Sequence, residues 1–135
     1  MARSQSAAVF RRTRSDHAQE TAEDYVEAIA DLIASKDRCR VVDLAERFGV
    51  AHVTVIKIVR RLEGEGLVKT EPYRPIELTP KGRRLAKACR QRHELVYRFL
   101  LELGVSESVA ANDAEGVEHH LSPETLKRMR AFVEG

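Results

Sequence analysis

The chain has 135 residues, 43% hydrophobic and 33% charged, with few aromatics and a net charge of +2. That is material for one ordinary domain or two small ones sharing a helix, and no apolar run approaches the length of a membrane span. The charge is uneven: residues 1–100 carry 20 Lys/Arg against 14 Asp/Glu, and residues 101–135 carry 3 against 7. A basic front and an acidic back suit a polyanion partner at one end and a cation at the other.

Residues 1–18 hold Arg3, Arg11, Arg12 and Arg14 and little apolar material, so a disordered basic arm is expected there. The stretch has some likeness to a transit peptide but no secretory h-region, and a phosphate-contacting arm is the better functional reading. From about Glu20 to Ser35 the spacing predicts a helix: Ala22, Tyr25, Val26, Ile29, Leu32 and Ile33 form one stripe, with Asp24 and Glu27 off its centre. Taken alone, those two acids are solvated helix-surface residues. Lys36 to Arg40 is a polar break.

Residues 41–64 read as VVDLAERF helix, a GVAH turn with Gly49 at the helix exit, and a second helix HVTVIKIVRRLEGEG. This is the helix-turn-helix plan. Val55, Ile58, Val59 and Leu62 make the apolar stripe of the second helix, which leaves Thr54, Lys57 and Arg61 on a polar stripe, His52 at the entrance and Arg60 alongside. Such a face suits a DNA major groove; an ordinary amphipathic helix with a basic face is the plainer alternative. LVKT and IELT follow as short strands joined by EPYRP, a hairpin with Tyr73 and Arg74 at its tip, which is to say a wing.

Thr79 and Pro80 then cap a long helix to about Leu103, buried along Leu85, Cys89, Val96, Phe99, Leu100 and Leu103. His93 falls on that side, where a lone histidine is ordinarily a core or interface residue. Gly104 stops the helix, Ser106 caps the next, and Ser122-Pro123 ends that one and caps the last. Within NDAEGVEHHL (112–121), Glu115, Glu118 and His119 fall at i, i+3 and i+4, one helix face offering oxygen and nitrogen donors for a divalent ion. That spacing alone fits a solvated acidic face better than a metal site. Cys39 and Cys89 are too few for a disulfide scaffold, and a reducing cytoplasm is expected.

With EDYVEAI (23–29), VVDLAERFGV and VTVIKIVRRLEGEGLV, YRPIELTPKG (73–82), RHELVYRFLLELGV (92–105) and NDAEGVEHHLS (112–122) in this order, the chain resembles the diphtheria-toxin-repressor family of metalloregulators, and within it the manganese-responsive branch. The resemblance runs from about Ala18 to Phe132. It implies a mainly α fold: a winged helix-turn-helix DNA-binding domain, here 19–82, and a helical metal-binding and dimerisation domain, here 83–135. No counterpart of the SH3-like third domain of the iron-responsive members is expected in these residues. Carried over position by position, the family's metal ligands fall on Asp24, Glu27, His93, Glu115, Glu118 and His119. Iron-responsive members use a Cys and a Met where this chain has Glu115 and Asp24. His120 gains no such role and stays a structural or surface residue.

The expected function is therefore that of a homodimeric regulator, binding double-stranded operator DNA and repressing metal-uptake genes when loaded with one or two Mn²⁺ per subunit. Fe²⁺, Zn²⁺ or Co²⁺ are further occupants in vitro, and no small organic substrate or membrane partner is expected. An iron-responsive regulator of the same fold, a metal-independent winged-helix regulator and a small carboxylate-bridged di-metal enzyme are the competing readings.

Overall fold

The structure, a computed structural model, describes the backbone of residues 2–135 and the side chains of residues 11, 14 and 16–135. Helix α1 runs Ala2–Lys36, and α2 (Val41–Phe48) and α3 (His52–Gly64) follow. Strands β1 (Val68–Lys69) and β2 (Glu77–Leu78) lead into α4 (Pro80–Glu102) and α5 (Glu107–Val117). A 3₁₀ turn (Glu118–His120) and α6 (Pro123–Glu134) end the chain. The chain divides into two compact units, Thr21–Lys87 and a second made of Ala88–Gly135 with the residues up to Glu20.

The helix of residues 20–35 forms as its apolar spacing requires, but α1 also carries helix back to Ala2, through the stretch expected to be a disordered arm. Between Ala2 and Glu20 there is no Gly or Pro, and Ala, Arg and Gln, all good helix formers, recur. Propensity decides the backbone where the lack of an apolar stripe argued for disorder. Arg11 and Arg14 are exposed; the side chains of Arg3 and Arg12 lie outside those described.

In the Thr21–Lys87 unit one core gathers Val26, Ile29 and Leu32 of α1, Leu44 of α2, Val55, Val59 and Leu62 of α3, and Val68, Ile76 and Leu78 of the hairpin. The predicted stripes of α1 and α3 are the buried ones. Tyr25 stacks on Phe48 with centroids 4.3 Å apart, and Asp31 pairs with Arg47 at 3.1 Å, which fixes α2 on α1. Gly49 ends α2 in the left-handed region (φ 64°), where a residue without Cβ meets no penalty. β1 and β2 pair antiparallel, Val68 opposite Leu78 and Lys69 opposite Glu77, so apolar partners face the core and opposite charges face solvent.

Thr79 joins the hairpin to α4. Its N–H donates to the Leu67 carbonyl (3.0 Å), and its hydroxyl donates to the Gly66 carbonyl (2.6 Å). The same hydroxyl oxygen accepts the Gly82 N–H at 3.0 Å, as an N-cap does.

In the second unit Cys89, Leu95 and Val96 of α4 and Ala110 and Ala114 of α5 are buried, and Phe99 meets Phe132 edge-on at 5.3 Å. Leu103, which the periodicity placed on the buried side, is 58% exposed. It joins Val109, Val117 and Phe132 as large apolar side chains left open. Ser122 caps α6, its hydroxyl accepting the Thr125 N–H. The only β structure among the described residues is the hairpin, and no helix among them is long and apolar enough to cross a membrane.

Candidate metal centre and nucleic-acid interface

Because Val55, Val59 and Leu62 anchor α3, its opposite side faces outward, and there His52, Thr54, Lys57, Arg60 and Arg61 are all exposed. Arg61 is braced by Glu65 at 3.5 Å. Val53, 62% exposed, and Ile56 share this face, which the polar-stripe reading passed over. Their signal was present: they fall off the Val55–Val59–Leu62 arc, and apolar side chains on a groove-facing helix can meet thymine methyl groups.

A groove between α3 and the hairpin is lined by Ile56, Arg60, Thr70, Glu71 and Arg74. At the hairpin tip Tyr73 is 99% exposed and holds φ 64°, an unusual backbone for a residue with a Cβ. Arg74 and Lys69 both approach Glu71, at 3.4 and 3.5 Å.

The metal-ligand candidates divide between the two units. Asp24 and Glu27 stand at i and i+3 on α1, both half-buried, in the helix-turn-helix unit. In the other unit Glu118 is 1% exposed and its Oε1 lies 3.6 Å from His93 Nδ1 and 3.9 Å from His119 Nε2. Those three residues are brought together. Glu115 is not brought to them in the same way, and stands exposed in the last turn of α5. The uniform α-helical face expected for Glu115, Glu118 and His119 ends at Val117, where the 3₁₀ turn begins. The Glu118 and His119 side chains are each 1% exposed, whereas Glu115, one turn earlier, is open to solvent.

A buried carboxylate is tolerated only with positive charge or donors against it. Here imidazole nitrogens face it, and one hard oxygen donor with two nitrogens is a set that fits a divalent ion of intermediate hardness. The nearby Cys89 sulfur is engaged otherwise, accepting from the Arg92 guanidinium at 3.4 Å.

Two residues outside the expected set stand at this place. His120 turns away from His119 and puts its Nε2 3.1 Å from Glu20 Oε2, and a Glu20 oxygen also lies within 4.8 Å of a His119 ring nitrogen. Glu20 precedes Asp24 by one helical turn, a signal in the sequence that the stripe reading did not use.

Comparison with known proteins matches the chain in two successive parts. Residues 17–76 match the family model described as iron dependent repressor, N-terminal DNA binding domain. Residues 79–135 match the one described as iron dependent repressor, metal binding and dimerisation domain. Transcriptional regulator MntR of Salmonella typhimurium is 47% identical over 125 residues, 93% of this chain and 80% of that protein. The chain belongs to the iron-dependent repressor family. That bears out the resemblance read from the motifs, and this family of repressors sets aside the di-metal enzyme.

Within the family, HTH-type transcriptional regulator MntR of Lysinibacillus sphaericus is 45% identical over 112 residues, 83% of this chain and 81% of that protein. Among solved structures, a manganese-dependent transcriptional repressor in complex with manganese is similar with a TM-score of 0.75 at 35% identity over 84% of this chain. The present chain spans 52% of that structure's length. IdeR of T. acidophilum, at 22% identity and a TM-score of 0.72, shares the fold.

Proposed function

We propose that the protein is a manganese-responsive transcriptional repressor that acts as a homodimer in the cytoplasm and binds double-stranded operator DNA of metal-uptake genes when metal-loaded. The observation that carries this reading is one chain with two kinds of surface: an exposed basic helix beside a hairpin, and a buried carboxylate faced by two imidazoles. The solved structures named for manganese support the choice of ion.

Asp24, Glu27, His93, Glu115, Glu118 and His119 would hold one or two ions per subunit, and a bound ion would supply concentrated positive charge to those donors. Glu118 and His119 share a short 3₁₀ turn and His93 the long helix α4, so a common ion restrains two elements at once. Asp24 and Glu27 would extend that restraint to α1, the helix packed on the helix-turn-helix. His52, Thr54, Lys57, Arg60 and Arg61 would enter the major groove while Tyr73 and Arg74 take the backbone or minor groove. Metal then favours the DNA-competent arrangement by no more than its differential affinity for the two arrangements. Leu103, Val109, Val117 and Phe132, large apolar side chains left open, support a second copy as partner.

The test is a DNA-binding titration on the gene's own upstream region after chelation, with Mn²⁺ or anaerobic Fe²⁺ restored. Affinity should rise with Mn²⁺ and rise less with Fe²⁺. Binding indifferent to metal points to a metal-independent regulator, and equal or stronger activation by Fe²⁺ removes manganese as the signal.

A further inference from the structure

The Glu20–His120 pair lies outside the ligand set implied by the family, yet it borders His119, a member of that set. Both residues belong to the same unit, Glu20 from α1 and His120 as the last residue of the 3₁₀ turn. Within that turn Glu118 and His119 are buried, each with a side chain 1% exposed, whereas the half-open His120 meets Glu20 at 3.1 Å. The Glu20 carboxylate also lies within 4.8 Å of a His119 ring nitrogen. Oxygen donors stand roughly 2.1–2.5 Å from divalent ions between magnesium and calcium in size, so two donors to one ion are separated by at most about 4–5 Å. The separation of Glu20 and His119 meets that limit. A carboxylate has two oxygens, so one can serve an ion while the other takes a hydrogen bond.

We propose that Glu20 is a further oxygen ligand of the metal centre and that His120 is the positioning residue that orients its carboxylate. The proposal rests on the metal-binding reading of Glu118 and His119. Ligating carboxylates are as a rule held by an outer hydrogen-bond partner, and the loss of such partners lowers metal affinity about 10–100-fold. A surface Glu–His pair with no metal role would do nothing of the kind, because exposed ion pairs contribute little to anything measured.

The experiment uses the full chain, stripped with chelator and titrated with Mn²⁺, the free ion followed by its electron paramagnetic resonance signal. Co²⁺ is then substituted and its d–d absorption recorded. Parent, Glu20→Ala, Glu20→Asp, His120→Ala and Glu118→Gln are compared, with far-UV circular dichroism on each. Glu20→Ala should bind Mn²⁺ about 10–100-fold more weakly and shift the Co²⁺ bands. Glu20→Asp should recover part of the affinity, and His120→Ala should lose less than Glu20→Ala. Glu20 has a side chain 30% exposed, so its variants should fold. If Glu118→Gln loses Mn²⁺ while Glu20→Ala matches the parent, the pair is a surface contact: the proposal falls and the metal centre stands. A weaker Glu20→Ala with unchanged Co²⁺ bands overturns the ligand role. A parent that binds no Mn²⁺ overturns both readings.

Discussion

Replacing Gly82 by alanine should destabilise the protein even though alanine is the better helix former. Gly82 lies in the first turn of α4, where a Cβ would fall well inside van der Waals contact of the Leu67 carbonyl oxygen, 3.0 Å from the Leu67 carbonyl carbon and 3.2 Å from Leu78 Cδ2. The obstacle is backbone, which cannot rotate aside as a side-chain tip can. Alanine for glycine in a helix gains up to about 1 kcal/mol. Against it stand overpacking of about 1–3 kcal/mol and roughly 1 kcal/mol for weakening the hydrogen bonds from Thr79 to the Leu67 carbonyl. The net loss is about 2–3 kcal/mol at the upper end of those ranges. At roughly 3–4 °C per kcal/mol for a chain of this size, Tm should fall by about 6–12 °C.

Thermal and urea unfolding of the metal-free protein, followed by circular dichroism, measure this. Gly64→Ala is the matched control: it is also helical, nothing lies within 4 Å of its Cβ position, and it should be neutral or stabilising. An unchanged or raised Tm for Gly82→Ala would refute the close approach of α4 to the hairpin.

Three further outcomes are expected. Lys57→Ala should weaken operator binding, uniformly across sequences and with the salt slope reduced by about one if the contact is to phosphate, whereas loss of a base contact by Arg61→Ala should relax sequence preference; unchanged anisotropy titrations for both would move the recognition surface off α3. Tyr73→Gly should relieve a left-handed backbone that costs about 1 kcal/mol, raising stability while lowering DNA affinity; a fall in both Tm and affinity contradicts it. Burial first, and the Asp43 carboxylate second, push the Cys39 thiol up to about 12. Because its folded pKa lies above the ordinary value of 9.0, the stability it contributes is fully present below pH 9 and is lost as pH rises from there towards 12. The urea midpoint should drop across that window in the parent and drop less in Cys39→Ala, and equal pH profiles would remove the effect.

What the sequence disclosed followed how local the physics was. Gly49, Thr79-Pro80 and Ser122-Pro123 were legible because turn and cap chemistry depends on a few adjacent residues. The stripes of α1 and α3 were legible because burial imposes their period. The backbone from Ala2 to Glu20 was not, since no burial pattern marks it and propensity alone shapes it. At the candidate site the donors themselves are read from residue type, whereas their grouping sets His93 of α4 against Glu118 and His119, a tertiary contact that no local period encodes. A uniform 3.6-residue period placed Glu115 with Glu118 and His119, and the fold buries those two while Glu115 stays exposed. Glu20 and His120 were missed for a different reason. They are 100 residues apart, and no periodicity connects them.

The root of the hairpin has a consequence for the entropy of association. Thr79 ties it to α4, Thr70 gives both its N–H and its hydroxyl to the Glu63 carboxylate at the end of α3, and the Ile76 N–H reaches the Cys39 carbonyl. Three separate elements thus hold the two strands, and their ordering is completed during folding. At the tip it is the exposed side chains, Tyr73 and Arg74, that are left to be ordered on meeting a duplex. Immobilising a side chain at an interface costs about 0.5–1.5 kcal/mol, so this hairpin subtracts from DNA affinity for a handful of residues and not for its whole length. A loosened root, as in Thr79→Ala, would carry that penalty into every encounter and show itself as a less favourable binding entropy with the contacts unchanged.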